Sequence, residues 1–226
     1  MTANGNEIIT IPFVVWQAPV GTAFPALDVV DPTAEVGSPP APTGWVLMGL
    51  NGFKNMTEKG ITISHTEKIE TDPFRTLGDT GAWQAIRSSE DLSFEFELMD
   101  ATLETYAMAL GVGPFETDAD DIIKAVAAST SVVGTKSMGL YRGINVAQVA
   151  LLVRGPSPYL LGAQAQWEIP RCFQAASPKA TVSKKDAFAL SFTMQALMDQ
   201  NLPDGAGDSQ YFGRLRAMTH AKLPSS

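Results

Sequence analysis

From Leu92 to Leu98 apolar and polar residues take strict turns. Leu92, Phe94, Phe96 and Leu98 fall on one side of an extended chain, and Ser93, Glu95 and Glu97 on the other. A period of two does not suit a helix; it describes a strand with one face on a core and one polar face. The pattern recurs in Phe188–Met194, where Phe188, Leu190, Phe192 and Met194 point inward, and over the shorter Ile61–Ser64. In Gln164–Ile169, Trp167 and Ile169 take the core face, and Gln164, Gln166 and Glu168 face outward. Val146–Val153 is almost continuously apolar, which suits a strand covered on both faces. Ile8–Ala18 reads as one more strand. Several half-buried strands predict a mainly β fold, a two-sheet antiparallel β-sandwich or barrel.

One segment departs from the alternation. Ala101–Leu110 predicts a flanking α-helix, with Asp100 as its cap, Glu104 near its positive end and Gly111 as its stop. Leu103, Tyr106, Ala107 and Leu110 then form one apolar stripe. A second helix is expected after Thr117, with Asp118, Asp120 and Asp121 in its first turn and Ile122, Ile123 and Val126 buried. Gly134–Gly143 reads as a loop.

Proline sets the chain's beginning apart. Residues 1–44 hold Pro12, Pro19, Pro25, Pro32, Pro39, Pro40 and Pro42, and contain no Lys, Arg or His. Proline fixes φ and removes a ladder donor, so Gly37–Gly44 is neither regular helix nor central strand, and Gly21–Gly44 reads as an extended arm or long loop. The expected organisation is a first strand and a long proline-rich arm over 1–44, a β body over 45–199, and a C-terminal tail over 200–226. A loop so long is usually functional or disordered, and an arm that orders against a neighbouring subunit fits both descriptions.

Charged residues make up 18% of the chain, against about 25% in average soluble domains. That composition suits a protein packed against copies of itself and an ordinary compact domain equally well. The net charge of −8 argues against gripping nucleic acid, which relies on Lys and Arg neutralising phosphates. A single cysteine, Cys172, excludes an internal disulfide framework and a thiolate-based zinc site. The start of the chain lacks the basic region of an export signal, and Pro12 breaks its apolar run. No stretch reaches the roughly 20 apolar residues that span a bilayer. The expectation is a protein made in the cytoplasm, with no membrane partner.

No catalytic constellation emerges, so no enzyme, cofactor or metal is expected. The histidines are His65, in an alternating strand, and His220. Gly134–Gly139 has the wrong spacing for a nucleophile elbow. Asp118, Asp120 and Asp121 lack the glycine turn and distant acid of a calcium loop and suit a helix terminus better. Lys184 and Lys185, the one adjacent basic pair, fall in an expected turn. Trp16, Trp45, Trp83 and Trp167 are spread along the chain as core or interface anchors; a sugar-stacking platform stays open as an alternative.

The order of these features resembles a known family. Val15–Pro25 is similar to the opening strand and arm of phage tail tube proteins, and Gly44–Gly49 to the strand that follows it. Glu58–Ile63, Ser89–Phe94, the helix Leu103–Gly111, Ile169–Arg171 and Phe192–Asp199 continue the series, covering Ile8 to Asp199. The chain thus resembles the major tail tube protein of long, non-contractile-tailed bacteriophages, and equally the tube of a gene transfer agent. That resemblance implies a β-sandwich subunit that forms hexameric rings, stacked into a tube in the virion tail. Tape measure, tail terminator and baseplate or tip proteins are the implied partners, and DNA passes through the lumen without specific binding. Ser93, Glu95, Glu97, Gln164, Gln166 and Glu168 are the candidate lumen lining. Pro25, Pro32, Pro39, Pro40 and Pro42 mark the candidate inter-ring arm. A capsid decoration or tail-adaptor protein, and a carbohydrate-binding β-sandwich, are the alternatives.

Overall fold

A computed structural model describes residues 13–27, 42–49, 56–71, 84–100, 102–111, 123–127, 133–141, 143–159, 163–178, 188–199 and 211–219. The described chain is mainly β with one helix. Its elements are β1 (Val14–Pro19), β2 (Val46–Leu47), β3 (Met56–Thr71), β4 (Ala85–Leu98), α1 (Leu103–Ala109), β5 (Ile123–Val126), β6 (Thr135–Met138), β7 (Val149–Pro156), β8 (Gln164–Gln174), β9 (Leu190–Ala196) and β10 (Arg214–Ala217). Seven strands run in the order β2-β1-β7-β8-β9-β4-β3, β10 joins β8 to make an eight-stranded antiparallel sheet, and β5-β6 stand as a separate pair.

The two layers of the expected sandwich are halves of one hydrogen-bonded sheet, and that sheet is open rather than a closed barrel. β8 is where the halves meet. It pairs with β7 from Gln164 to Cys172, with β10 from Ala165 to Glu168, and with β9 from Cys172 to Gln174. Pro170 lies between the β10 and β9 pairings, and it has no N–H to offer a ladder. Val15, Leu151, Val153 and Ile169 from one half share a single core with Phe94, Phe96, Leu98, Leu190, Phe192 and Met194 from the other. Phe96 and Phe192 stack there, with ring centroids 5.1 Å apart. Each such side chain contributes about 1.5–3 kcal/mol on full burial.

β7 is covered on both faces over Val149–Val153, as its apolar run predicts, whereas Val146, at the head of that run, precedes the strand and is exposed. Val149, Leu151 and Val153 enter the main core. Ala150 and Leu152 turn the other way, onto a second cluster with Val14, Trp16, Ala18 and Trp45. Phe24 and Leu47 close that cluster.

Three expectations need correction. The helix begins later than predicted: Thr102, not Asp100, is its cap, and the Thr102 Oγ1 accepts the Thr105 N–H at 3.1 Å. Thr105, Ala107 and Ala109 are the buried residues of the helix, so of the expected stripe only Ala107 is fully buried, with Tyr106 half-buried against the main core. Gly111 does end the helix, with φ +79°. Ile123–Val126 is not helical; it pairs with Thr135–Met138, inside the stretch taken for a loop. β-branched Ile123 and Val126, and Thr135 across from Val126, favour that pairing over a helix. Third, the C-terminal stretch is not wholly a tail, because Arg214–Ala217 pairs in register with β8. Thr117, Asp118, Asp120, Asp121, Trp83, Lys184, Lys185 and His220 lie outside the described residues.

Candidate assembly surfaces

The alternation of β4 survives in three dimensions and extends across its neighbours. Glu95 pairs with Thr62 on one side and Thr193 on the other, and Ser93 with Ser64 and Gln195. Glu97 faces Ser191. Phe94, Phe96 and Leu98 are buried behind them, so the three strands present a continuous polar face. Glu95 is exposed, whereas Glu97 accepts the Lys59 ammonium at 2.8 Å and the Thr57 hydroxyl at 3.3 Å. Gln195 reaches Asp91 at 3.2 Å.

The other nominated face is buried. Gln164, Gln166 and Glu168 share one side of β8, as the period of two requires, but they are 7%, 0% and 1% exposed. Arg214 and Arg216 on β10 lie in register opposite Glu168 and Gln166, and Leu152 and Arg154 on β7 lie opposite them on the other side. Glu168 is gripped by Arg214 Nε at 2.5 Å and Arg216 Nη1 at 3.0 Å. Gln166 Oε1 accepts from Arg154 Nε at 2.9 Å and Nη2 at 2.7 Å. Its Nε2 donates to Glu168 Oε1 and, at 2.9 Å, to the carbonyl of Pro25. A carboxylate without solvent demands such partners. These residues therefore line no open surface of the subunit.

The same contacts correct the reading of the arm's root. Pro25 lies against the chain's own sheet, and Ala26 O accepts from Arg154 Nη2 at 3.3 Å. Trp45 Nε1 donates to Ala23 O at 3.2 Å, and the Trp45 and Phe24 rings lie 5.2 Å apart. Pro42 closes a turn to Trp45, whose N–H donates to the Pro42 carbonyl at 2.9 Å, with Gly44 at φ +82°. Pro32, Pro39 and Pro40 lie outside the described residues. Sequence reasoning missed Arg154, Arg214 and Arg216 because nothing local marks them; their role comes from partners on other strands.

β3 and β4 form a pair of 16 and 14 residues, far longer than the usual 5–6. Its base is buried through Met56, Phe94, Phe96 and Leu98, but His65–Thr71 and Ala85–Ser89 are exposed throughout, including Ile69 at 60% and Ile86 at 52%. β3 is also the last strand in the sheet order, so its outer ladder has no strand partner among the described residues. Unpaired edges invite association with another chain.

His65 sits on this pair. Its Nε2 is 2.6 Å from Glu90 Oε1, and ligand atoms of His65, Glu67 and Glu90 lie within 4.8 Å of one another. Arg87 supplies positive charge to the same group, at 3.0 Å from Glu67 and 3.6 Å from Glu90. Cys172 is fully buried, donates to the Val149 carbonyl at 3.3 Å, and has its thiol pKa pushed far up by burial. That matches a core thiol rather than a nucleophile. Elsewhere on the surface, Val133, Leu140, Tyr141, Ile144 and Val146 are exposed around β6 and the approach to β7. No helix among the described residues is long and apolar enough to cross a membrane. No protein-family model matches the sequence, and no curated protein matches it.

Proposed function

We propose that this chain is a structural subunit that polymerises as stacked rings into the tail tube of a long, non-contractile bacteriophage tail. The tube would be assembled in the host cytoplasm, carried in the virion, and used as the conduit for DNA ejection. The observation that supports this reading best is the open sheet ending in β3, whose far half projects from the body with both faces exposed. A monomer gains nothing from such an edge, whereas a ring removes it by pairing subunits side by side. Head-to-tail contacts between rings then propagate a filament. The ordered resemblance to tail tube proteins supplies the identity of the assembly.

Within this reading the lumen face is the one carrying Ser93 and Glu95, with Glu97 at its margin. An acidic wall repels phosphates, so DNA slides along it without sticking. The Gln166–Glu168 side of β8 has no part in the lining, because β10 and residues 22–27 already cover it.

Purified protein imaged by negative-stain electron microscopy at high concentration, with and without tail initiator, should show stacked rings with a central channel. Discrete rings or trimers that never stack would favour a capsid decoration or adaptor role instead. A strict monomer under both conditions would refute assembly altogether.

A further inference from the structure

The side of β8 that carries Gln166 and Glu168 joins two segments that are far apart in sequence. Residues 22–27 come down on it from the N-terminal side, and β10 from the C-terminal side. Gln166 bonds residues 22–27 directly and reaches β10 through Glu168: its amide nitrogen donates to the Pro25 carbonyl and the Glu168 carboxylate, while its amide oxygen takes two bonds from Arg154. Glu168 in turn holds Arg214 and Arg216 of β10. We propose that this buried junction is a coupling device: residues 22–27 form a strap whose seating on the sheet depends on β10, and β10 depends on the strap.

The dependence follows from the chemistry of an amide. Gln166 has one acceptor end and one donor end. Arg154 can be met only by the oxygen, which commits the nitrogen to Pro25 and Glu168. The carboxylate accepts from it while Arg214 and Arg216 hold that carboxylate in place. Removing β10 would leave Glu168 as a buried, uncompensated charge, which must turn toward water and abandon Gln166. Freed of that bond, the Gln166 nitrogen loses the geometry that aims it at Pro25. The chain runs equally in reverse: lifting the strap strips two carbonyl acceptors from Gln166 and Arg154 and loosens the group that orients Glu168. Thermodynamic coupling between two segments is reciprocal by necessity.

Two further features fit a latch rather than two independent contacts. β10 is entered through Gly213 at φ +114°, where any Cβ would meet the Glu168 carbonyl, so this strand lies tightly on β8 at the junction. The strap is held by its carbonyls, at Ala23, Pro25 and Ala26, and by the Phe24 ring on the second cluster. Such contacts can release without breaking the β1–β7 ladder beneath.

Hydrogen exchange on the full chain, read by NMR, tests the coupling. Arg216→Ala alters a side chain on β10 that bonds Glu168. It should speed exchange of the Trp45 indole N–H, which the strap's Ala23 carbonyl holds, about tenfold or more, the loss expected for one charge-assisted bond, together with the amides of β10. The ladder amides of β9 serve as the reference for global opening. Faster β10 with an unchanged strap would overturn the proposal. A cycle of Arg154→Ala and Arg216→Ala, singly and together, gives a second reading by urea denaturation if β9 also accelerates. Non-additive effects on the unfolding constant are expected, whereas additivity within about twofold would show two separate contacts. Neither measurement needs the protein to assemble, so the coupling and the tube reading fail independently.

Discussion

Glu168 shows how far alternation reaches at the scale of single residues. The period of two places it correctly, on the side of β8 opposite Trp167 and Ile169, both of which pack in the main core. Alternation says which residues share a face; it does not say what covers that face. Here the cover is β10 and the strap, so a residue expected in water is 1% exposed. Glu95 follows the same rule and is exposed, with Ser93 half-buried beside it on the same polar face. The glycine that admits β10 supplies a sharp test. Gly213→Ala introduces a Cβ against the Glu168 carbonyl at a φ that L residues rarely adopt. The expected loss is about 3 kcal/mol, measured as a lower urea midpoint. An alanine variant as stable as the parent would mean that β10 does not lie on β8 this closely.

At the scale of elements, the long β3–β4 pair carries most of the assembly argument. Its inner part was legible from Ile61–Ser64 and Leu92–Leu98, because burial behind a strand imposes alternation. Its outer part was not, since residues exposed on both faces have no periodicity to display. The helix was legible as a helix, but its start moved to Thr102, because Thr105 and the chain's own geometry chose the hydroxyl over Asp100. In Glu104 the ionised form is favoured chiefly by its hydrogen bond from Lys136, which lowers its pKa from the usual carboxylate value. The exposed isoleucines of the outer pair separate stability from assembly. Ile69→Lys with Ile86→Lys should change subunit stability by no more than about 0.5 kcal/mol, yet reduce high-mass species in sedimentation velocity. Undiminished polymerisation of that variant would remove the outer β3–β4 pair from the assembly interface.

The main sheet of the described residues ends in β2 and β3, which follow one another in the chain, while Val14–Pro19 and Arg214–Ala217 bring distant segments onto β7 and β8. That changes how the arm should be tested. Deleting residues 21–44 would also remove the strap and the Pro42–Gly44 turn that delivers Trp45, which is 4% exposed in the second cluster. Replacing residues 28–41 by a short Gly-Ser linker leaves both in place. The expected outcome is an unchanged melting temperature, to within a few degrees for a sub-kilocalorie effect, with tube formation lost or slowed. Normal tubes from this variant would end the inter-ring role of the arm. By itself, the sequence determined the mainly β class, the inward faces of β4, β8 and β9, the two-sided burial of β7 and the helix flanking the body. These properties are periodic or local, written into neighbouring residues by whether a face meets water. Only the tertiary structure decided that the two expected layers are one open sheet, that β10 belongs to it, and that Gln166 and Glu168 are sealed rather than displayed. Those outcomes depend on pairings between residues far apart in the chain, such as Arg214 with Glu168, whose energies leave no local pattern.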